Sequence, residues 1–384
     1  MTDKKKIIGE ALAHIVERAK SGFDRTVIGV MASGSELGAK ELLDGARLAQ
    51  NQDPRLKVLA IGPKTPGYDD LDWLETPECD ADIAAAMEKA LDDGTIAGAV
   101  ALHYPFPIGV TTIGRVITPA RGKSMLVAST TGTSSAQALE ALVYNAIYGR
   151  AVARALGIAE PTLGILNITG ANQAFRALSA LKDGGYPIKF GESQRADGGA
   201  ILRGNDILNP TADICLCDSL TGNVLMKLFS AWQTGGAYEA LGWGYGPSAG
   251  AGWRKVVSII SRASGAPVVA GALMNTAAAV RGGLADKVAE EMAAAEKAGL
   301  KKIISDLTPA APAAAEEIKA PPARPTGAEI AGIDVLDIEA AVRSLWKEGH
   351  YAESAMGCTG PVIKVPKDIL EAARDCLKRN NYIG

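Results

Sequence analysis

The residue best placed to do chemistry in this sequence is Cys358, which lies between Gly357 and Gly360 in the segment Ala-Met-Gly-Cys-Thr-Gly-Pro. Nearby glycines leave room for another molecule to approach a thiol, and their backbone N–H groups can turn towards an oxyanion. A thiolate is a strong nucleophile and could carry an acyl group. The competing interpretation is an ordinary exposed loop cysteine. His350, in the same part of the chain, could act as its base or be a solvent-exposed histidine.

Small polar residues are concentrated in four segments that each follow a predicted strand and precede a helix. Such helix starts offer unpaired N–H groups and a positive dipole end, which suits phosphate or a thioester carbonyl. Because the carboxyl ends of parallel strands meet at one edge of a sheet, we expect the four segments to lie together. Each segment alone could also be only a cap and a tight turn. The candidate phosphate- or acyl-binding residues are Ser33, Gly34, Ser35, Thr131, Gly132, Thr133, Asn172, Asp218 and Gly222.

Two further candidates follow Gly222 directly. Asn223 could donate through its side-chain amide, and Lys227, one helical turn later, could add a full positive charge. Together with Cys358 they form the candidate catalytic set. His103, at the end of a predicted strand, could line the same cleft.

The sequence does not match other common motifs for binding nucleotides or metals. The segment Gly-Lys-Ser at 122–124 lacks the first glycine of a P-loop, because position 117 is isoleucine. The segment 244–249 imitates a dinucleotide-binding fingerprint, but it has no predicted strand before it and contains a proline. Three histidines are too scattered in sequence for a metal cluster. We therefore expect no metal site.

The length and composition of the chain limit the classes of protein to which it can belong. With 384 residues, 47% hydrophobic content and a net charge of −3, the chain can bury a full core and has no overall attraction to nucleic acid. No apolar run reaches the length of a membrane span, so we expect a cytoplasmic protein without a membrane partner. Five cysteines, an odd number at scattered positions, fit free thiols in a reducing compartment. Cys215, Cys217 and Cys376 lie in apolar patterns that indicate core packing.

The fold class follows from the alternation of β-rich runs and helical patterns over the first three hundred residues. That alternation is typical of an α/β protein with a mostly parallel sheet covered by helices. The predicted strands are 26–32, 58–62, 98–102, 125–129, 162–167, 188–191, 212–218 and 266–271, and the predicted helices include 37–49, 81–91, 135–156 and 220–232.

A change of composition divides the chain. Residues 308–325 are rich in proline and alanine and cannot supply a core, so they are interpreted as a linker between a core at 1–307 and a C-terminal module at 326–384. Such a linker spans roughly 25 Å as a coil and roughly 55 Å when extended. The module is predicted to be helical, with helices at 338–346 and 367–378 and Cys358 in the loop between them.

Several of these segments resemble the phosphate acyltransferase family of phospholipid synthesis. The resemblance rests on 204–207, 212–227, 29–35, 131–132 and 245–247. It implies a three-layer, isocitrate-dehydrogenase-like fold and transfer of acyl groups between a carrier thioester and phosphate. The family's Asn and Lys in Gly-Asn-Val-x-x-Lys correspond to Asn223 and Lys227. A lysine that the family uses after its Asn-Ile strand end is absent from 167–173, which argues against a long acyl carrier.

Together with the linker and the Ala-Met-Gly-Cys-Thr-Gly-Pro segment, the core is similar to the alpha subunits of component C of the glycine, sarcosine and betaine reductase complex. That resemblance implies an acetyl thioester on Cys358 that phosphate releases as acetyl phosphate, with no cofactor other than this co-substrate. It implies a hetero-oligomer, with the component C beta subunit as a permanent partner. A small selenoprotein, component A, would present the carboxymethyl selenoether from which the acetyl group derives.

Two other readings remain open. The chain could be a free-standing phosphate acyltransferase, or a scaffold subunit whose core only positions its partner. A nicotinamide dehydrogenase of the same fold is the weakest alternative, because the arginine and aspartate sets for a hydroxy acid and a metal are missing.

Overall fold

The computed structural model describes residues 25–120, 122–195, 198–307, 318–334, 337–357 and 360–383. Most strands of the core form a twelve-stranded sheet. In chain order they are β1 (Thr26–Met31), β2 (Leu56–Gly62), β3 (Asp72–Glu75), β4 (Gly98–Ala101), β5 (Val110–Ile117), β6 (Ser124–Thr133), β7 (Thr162–Leu166), β8 (Lys189–Phe190), β9 (Ile201–Leu202), β10 (Ile214–Leu216), β11 (Gly246–Gly250) and β12 (Val257–Ile259).

Helices cover this sheet on its two faces, as expected for near-continuous apolar strands. They are α1 (Ala39–Gln52), α2 (Asp80–Asp92), α3 (Ala138–Ala155), α4 (Ala171–Asp183), α5 (Gly204–Leu208), α6 (Ser219–Ala231), α7 (Ala266–Arg281), α8 (Leu284–Lys297) and α9 (Leu300–Leu307). Helix α3 is buried along most of its length, and α1 packs on α7. The predicted α/β class with a mostly parallel sheet is confirmed.

Two antiparallel strands reverse the direction of the sheet in its middle. The order is β3-β2-β1-β4-β12-β11-β5-β6-β10-β7-β8, with β9 beside β7. Strands on either side of the centre pair in parallel, whereas β11 is antiparallel to both β12 and β5, and β5 is antiparallel to β6. The carboxyl ends of β1, β4 and β12 therefore lie on the edge opposite to those of β6, β7 and β10. The expectation that all four polar segments share one edge is wrong, because it assumed a uniformly parallel sheet.

One predicted strand is a helix. Residues 266–271 begin α7, which has Pro267 in its first turn and is buried around most of its circumference. A short apolar run fits a buried helix as well as a buried strand. This segment is a helix, and its mostly apolar sequence extends over sixteen residues, which is longer than a typical strand. The sheet position is taken instead by β12, a strand that the sequence pattern did not indicate.

The C-terminal module is mixed rather than purely helical. Its strands β13 (Ala328–Ile330), β14 (Glu353–Gly357) and β15 (Gly360–Val365) form an antiparallel sheet in the order β13-β15-β14. Helices α10 (Ile338–Lys347) and α11 (Leu370–Arg379) pack on it around a core of its own that includes Cys376. The two helices and the core position of Cys376 were predicted correctly. The strands were missed because each is short and carries polar residues on its exposed side.

The module contacts the core through Asp337. Its carboxylate accepts hydrogen bonds from the side chains of Gln173 and Arg176 on α4, and the Arg176 contact is a 3.0 Å ion pair. In the part of the linker that the structure describes, residues 318–325 form neither helix nor strand.

Within the described ranges, no single helix combines the length and the apolar character needed to cross a membrane. Only α7 and α8 taken together meet those two criteria, and the pair is bent by 59° at the break between them.

Candidate functional site

Helix α6 connects most of the predicted site residues. Asp218 precedes its first turn, Gly222 and Asn223 follow within that turn, and Lys227 comes one turn later. Nine residues of α-helix span about 13 Å, so α6 separates Asp218 from Lys227 by that length. The predicted residues near α6 consequently fall into three groups, one at each end of the helix and one in its middle.

The Asp218 end holds a cavity of about 230 Å³ that Gly132 and Thr133 also line. Its polar groups are largely paired with one another. The Asp218 carboxylate accepts hydrogen bonds from the backbone N–H and hydroxyl of Thr221 at 2.9 and 2.6 Å, and Thr133 donates to the carbonyl of Ser135. A carboxylate that caps a helix takes the position where an anion would bind. This end of α6 is therefore poorly suited to phosphate.

The middle of α6 is fixed to strand β6 by close packing. A Cβ at Gly222 would lie 1.7 Å from the carbonyl oxygen of Ser129, so only glycine allows this approach. Asn223 donates its amide hydrogen to the carbonyl of Thr130 at 3.2 Å, and the Thr131 hydroxyl is bonded to that of Thr112 at 2.7 Å. Gly222 and Asn223 therefore hold the helix against the sheet, whereas Thr131 joins two strands within it.

At the other end of α6, Lys227 joins a polar network. Its ammonium donates to the Ser261 hydroxyl at 2.7 Å and forms an ion pair with Glu239 at 2.6 Å. The Lys227 side chain is 48% exposed, whereas that of Glu239 is 1% exposed. The ammonium therefore has a solvent-facing side on which a ligand could bind.

The loop from Ser261 to Gly265 brings the predicted segment Ser33–Ser35 to this end of α6. The Ser35 hydroxyl donates to the carbonyl of Arg262 at 3.1 Å, and the backbone N–H of Glu36 donates to the same oxygen at 2.8 Å. Strands β6 and β12 are three positions apart in the sheet, which is about 14 Å at the usual strand spacing. Lys227 and this loop bridge that gap.

Arg262 is the main residue that sequence reasoning missed. It is exposed, and its guanidinium has no hydrogen-bond or ion-pair partner among the residues that the structure describes. An unpaired guanidinium is the preferred side chain for binding phosphate in a planar, two-pronged manner. The signal was a Ser-Arg pair at a strand exit, and it was hidden because strand β12 was not predicted.

A second cavity, of about 220 Å³, is lined by Arg262 together with Ser33, Gly34 and His103. His103 thus shares a cavity with two of the predicted residues, whereas Asn223 and Lys227 do not line it. The remaining lining residues are mostly apolar and include Met31, Ile83, Met87, Leu102 and Tyr104. Two carboxylates also line it, Asp80 and Glu88, and Glu88 is paired with Lys255. This end therefore combines an anion-binding group with a small apolar space.

The two predicted site residues that remain are Asn172 and Cys358. Asn172 is the second residue of α4, half-buried, and is not among the residues that line either cavity. Cys358, with Thr359, lies outside the described residues. The flanking strands β14 and β15 pair with each other up to Gly357 and Gly360.

The described cysteines are distinguished by burial. Cys215, Cys217 and Cys376 are buried, whereas Cys79 is exposed. Burial raises the pKa of Cys215 to about 12 and the pKa of Cys217 well above its usual value, so both remain protonated and unreactive at neutral pH. Burial also raises the pKa of Cys376. Among described residues, no three His, Cys, Asp or Glu side chains come together as metal ligands would.

Comparison with known proteins gives a consistent set of relatives. The model of the fatty acid synthesis protein family matches residues 26–364. The chain is 44% identical over 382 residues to the glycine/sarcosine/betaine reductase complex component C subunit alpha of Peptoclostridium acidaminophilum, covering 98% of both proteins. It is 24% identical to the phosphate acyltransferase of Brucella suis biovar 1 over 51% of this chain and 54% of the relative. A branched-chain phosphotransacylase from Enterococcus faecalis superposes with a TM-score of 0.49 and 15% identity, covering 66% of this chain and 99% of the other.

Proposed function

Because the chain belongs to the fatty acid synthesis protein family, and within it to the component C alpha subunits of glycine/sarcosine/betaine reductase complexes, we propose that it transfers an acetyl group from a cysteine thioester to inorganic phosphate. The observation that carries this proposal is the cluster at the Lys227 end of α6. There Lys227, Arg262 and Ser33–Ser35 are joined through one loop beside a small apolar cavity.

Phosphate binds at this end of α6 because Lys227 and the loop that carries Arg262 supply two cations there, and a capping carboxylate occupies the other end. A unit charge 4 Å from a phosphate contributes about 4 kcal/mol at the effective dielectric of a protein surface. Arg262 has no competing described partner, and Lys227 keeps an exposed side. The helix holds Lys227 in place, so the phosphate is oriented as well as bound.

The acetyl group is carried on Cys358 of the C-terminal module. A phosphate oxygen attacks the thioester carbonyl carbon, the new C–O bond forms, the C–S bond breaks, and the Cys358 thiolate leaves and takes up a proton. Lys227 and the Ser261 hydroxyl stabilise the charge that develops on the carbonyl oxygen. The predicted linker, 308–325, gives the module the reach to move between partner and core.

The donor of the acetyl group is a partner protein. The chain resembles a subunit of a multi-component complex, and we assign the beta subunit as its permanent partner and the small selenoprotein as the donor of the two-carbon unit. Helix α6 exposes an apolar stripe that supports contact with another protein, since large exposed apolar patches mark such surfaces. The stripe consists of Leu220, Val224 and Leu228, and the exposed Trp232 continues it directly after the helix.

The cavity beside Arg262 limits the length of the acyl group. A volume of about 220 Å³ corresponds to roughly seven water molecules, which accommodates a short acyl thioester but not a fatty acyl chain. We expect the full chain to form acyl phosphate from acetyl thioesters and inorganic phosphate at least about tenfold faster than from long-chain thioesters. The assay is acyl phosphate production from donors of increasing chain length.

A variant of a cavity-lining residue tests whether this cavity sets the preferred acyl length. Met87→Ala removes a wall of the cavity and should shift the preferred donor by two to three carbons, as expected for roughly one methionine side chain of space. Met125→Ala, which truncates a buried methionine on β6 that does not line this cavity, is the matched control and should leave the length preference unchanged. A wild-type chain that prefers long acyl thioesters would support the free-standing phosphate acyltransferase instead.

A further inference from the structure

Glu239 has the most completely bonded carboxylate near the candidate site, although nothing in its sequence segment marks it. Its Oε1 accepts hydrogen bonds from the Tyr245 hydroxyl at 2.8 Å and pairs with Lys227 at 2.6 Å, and its Oε2 accepts from the Ser264 hydroxyl at 2.9 Å. The residue is 1% exposed. A buried carboxylate is costly unless it is paired and fully hydrogen-bonded, and this one satisfies both conditions.

The backbone of Glu239 is tied to the same loop. Its N–H donates to the carbonyl of Ala263 at 2.9 Å, and its carbonyl accepts from the N–H of Gly265 at 2.9 Å. The N–H of Ser261 in turn donates to the Ser264 hydroxyl at 3.0 Å. Glu239 thus fixes both Lys227 and the loop that carries Arg262.

We infer that Glu239 is a positioning residue that acts through Lys227: it orients the ammonium, and with it the Arg262 loop, for acyl transfer to phosphate. This inference rests on the proposed function, because it deepens the role of that same site. Burial, together with the neighbouring carboxylate, raises the pKa of Tyr245, so the hydroxyl stays protonated and keeps donating to Glu239. Glu239 itself faces away from solvent and has no place for a ligand.

Removing the charge of Glu239 has two opposite effects. Phosphate is attracted more strongly, because a negative charge on the far side of Lys227 is gone. Lys227 loses its anchor, however, and its half-exposed side chain turns into water, so bound phosphate is no longer held for attack. Glu239→Gln should therefore lower the rate at saturating phosphate by about 10- to 100-fold, a loss like that seen when residues that orient metal ligands are replaced. The half-saturating phosphate concentration should stay the same or fall.

The experiment measures release of labelled acetyl from the acetyl-loaded full chain against inorganic phosphate concentration. Wild type, Glu239→Gln, Lys227→Met and the double variant form a cycle. If Glu239 acts through Lys227, the double variant is no slower than Lys227→Met alone. The inference would be overturned if the rate loss in the double variant equalled the product of the losses in the two single variants, or if Glu239→Gln had an unchanged rate. Wild-type release that does not depend on phosphate would instead contradict the proposed function, so the two failures are distinguishable.

Glu291→Gln is the matched control for the loss of a buried carboxylate. Glu291 is 2% exposed and pairs with Arg150 at 3.0 Å and Arg154 at 2.6 Å, between α3 and α8. Its replacement should lower the thermal midpoint without changing the saturating rate. A rate loss in Glu291→Gln equal to that in Glu239→Gln would show that the role of Glu239 is only structural.

If Glu239→Gln does not fold, Ser264→Ala is the alternative variant. It removes one hydrogen-bond donor to Glu239 and should lower the saturating rate by a smaller factor, about threefold. An unchanged saturating rate in Ser264→Ala would overturn the inference.

Discussion

Replacing Cys358 by serine should reduce acetyl phosphate formation by the assembled reductase complex by about 10³-fold or more. A serine hydroxyl is a weak nucleophile without an adjacent base, and removal of a covalent nucleophile costs at least this much in other acyl-transfer enzymes. The assay is acetyl phosphate production by the complex with its amine substrate. The expected loss does not depend on how the module is arranged, because it follows from the chemistry of the sulfur.

Cys79 provides the matched control for this substitution. It is the exposed cysteine among those that the structure describes, and it precedes α2. Cys79→Ser should leave the rate within about twofold, as surface substitutions normally do. A Cys358→Ser complex that makes acetyl phosphate at the normal rate would favour the scaffold reading, in which all chemistry belongs to the partner.

Replacing Arg262 by glutamine should raise the half-saturating phosphate concentration by about 10- to 150-fold. A hydrogen bond to a charged group contributes about 1.5–3 kcal/mol, and each 1.4 kcal/mol corresponds to a factor of ten. Acetyl loading of the chain should be unaffected, because phosphate has no part in that step. The measurement is the phosphate dependence of acetyl release from the loaded full chain.

Arg254 is the control for Arg262. It is also exposed, but it pairs with Asp286 on the surface, outside both cavities. Arg254→Gln should leave the phosphate dependence unchanged, since exposed ion pairs contribute little. Arg262→Lys should restore part of the affinity, because it returns the charge without the two-pronged geometry. If Arg262→Gln left the phosphate dependence normal, phosphate would have to bind elsewhere. The cavity at Asp218 would then be the next candidate for the phosphate site.

Most of the core elements could be predicted from sequence because their apolar residues follow a regular pattern. The run Thr-Val-Ile-Gly-Val-Met of β1 is buried over its last four residues, and α4 carries a clear apolar face. Such patterns report burial directly, and burial is what makes strands and helices of this kind stable. The predicted core positions of Cys215 and Cys217 were correct for the same reason.

The reversal of the sheet could not be predicted, because β11 lacks an apolar pattern and the apolar residues of β5 are interrupted by two threonines. Strand β11 reads Gly-Pro-Ser-Ala-Gly, and a Cβ at Gly246 would lie 1.7 Å from the carbonyl oxygen of Ile113. Small residues are required there by the close approach of β5, and small residues resemble a turn when the neighbour is unknown. Strand β5 itself buries Thr111 and Thr112, whose hydroxyls are satisfied by β6.

The candidate site was predicted in part. Lys227 and Ser33–Ser35 are joined through the Ser261–Gly265 loop at one end of α6. They come together because α6 runs back from the edge at which β10 ends to the opposite edge, not because their strands end on one edge. Arg262 and Glu239 were missed, since their importance depends on contacts with residues far away in the sequence. The two ends of α6 could be told apart only by geometry, when Asp218 proved to cap its own helix.

The most direct measurement is to incubate the full chain with isotope-labelled acetyl phosphate and to locate the label by peptide mass. Because acyl transfer is reversible, the label should reach the peptide that contains Cys358 and should be lost again when inorganic phosphate is added. Buried Cys215 and Cys217 should remain unlabelled, and a Cys79→Ser background removes the exposed thiol as a source of chemical acetylation. Label that never reaches Cys358, or that is not released by phosphate, would contradict the account.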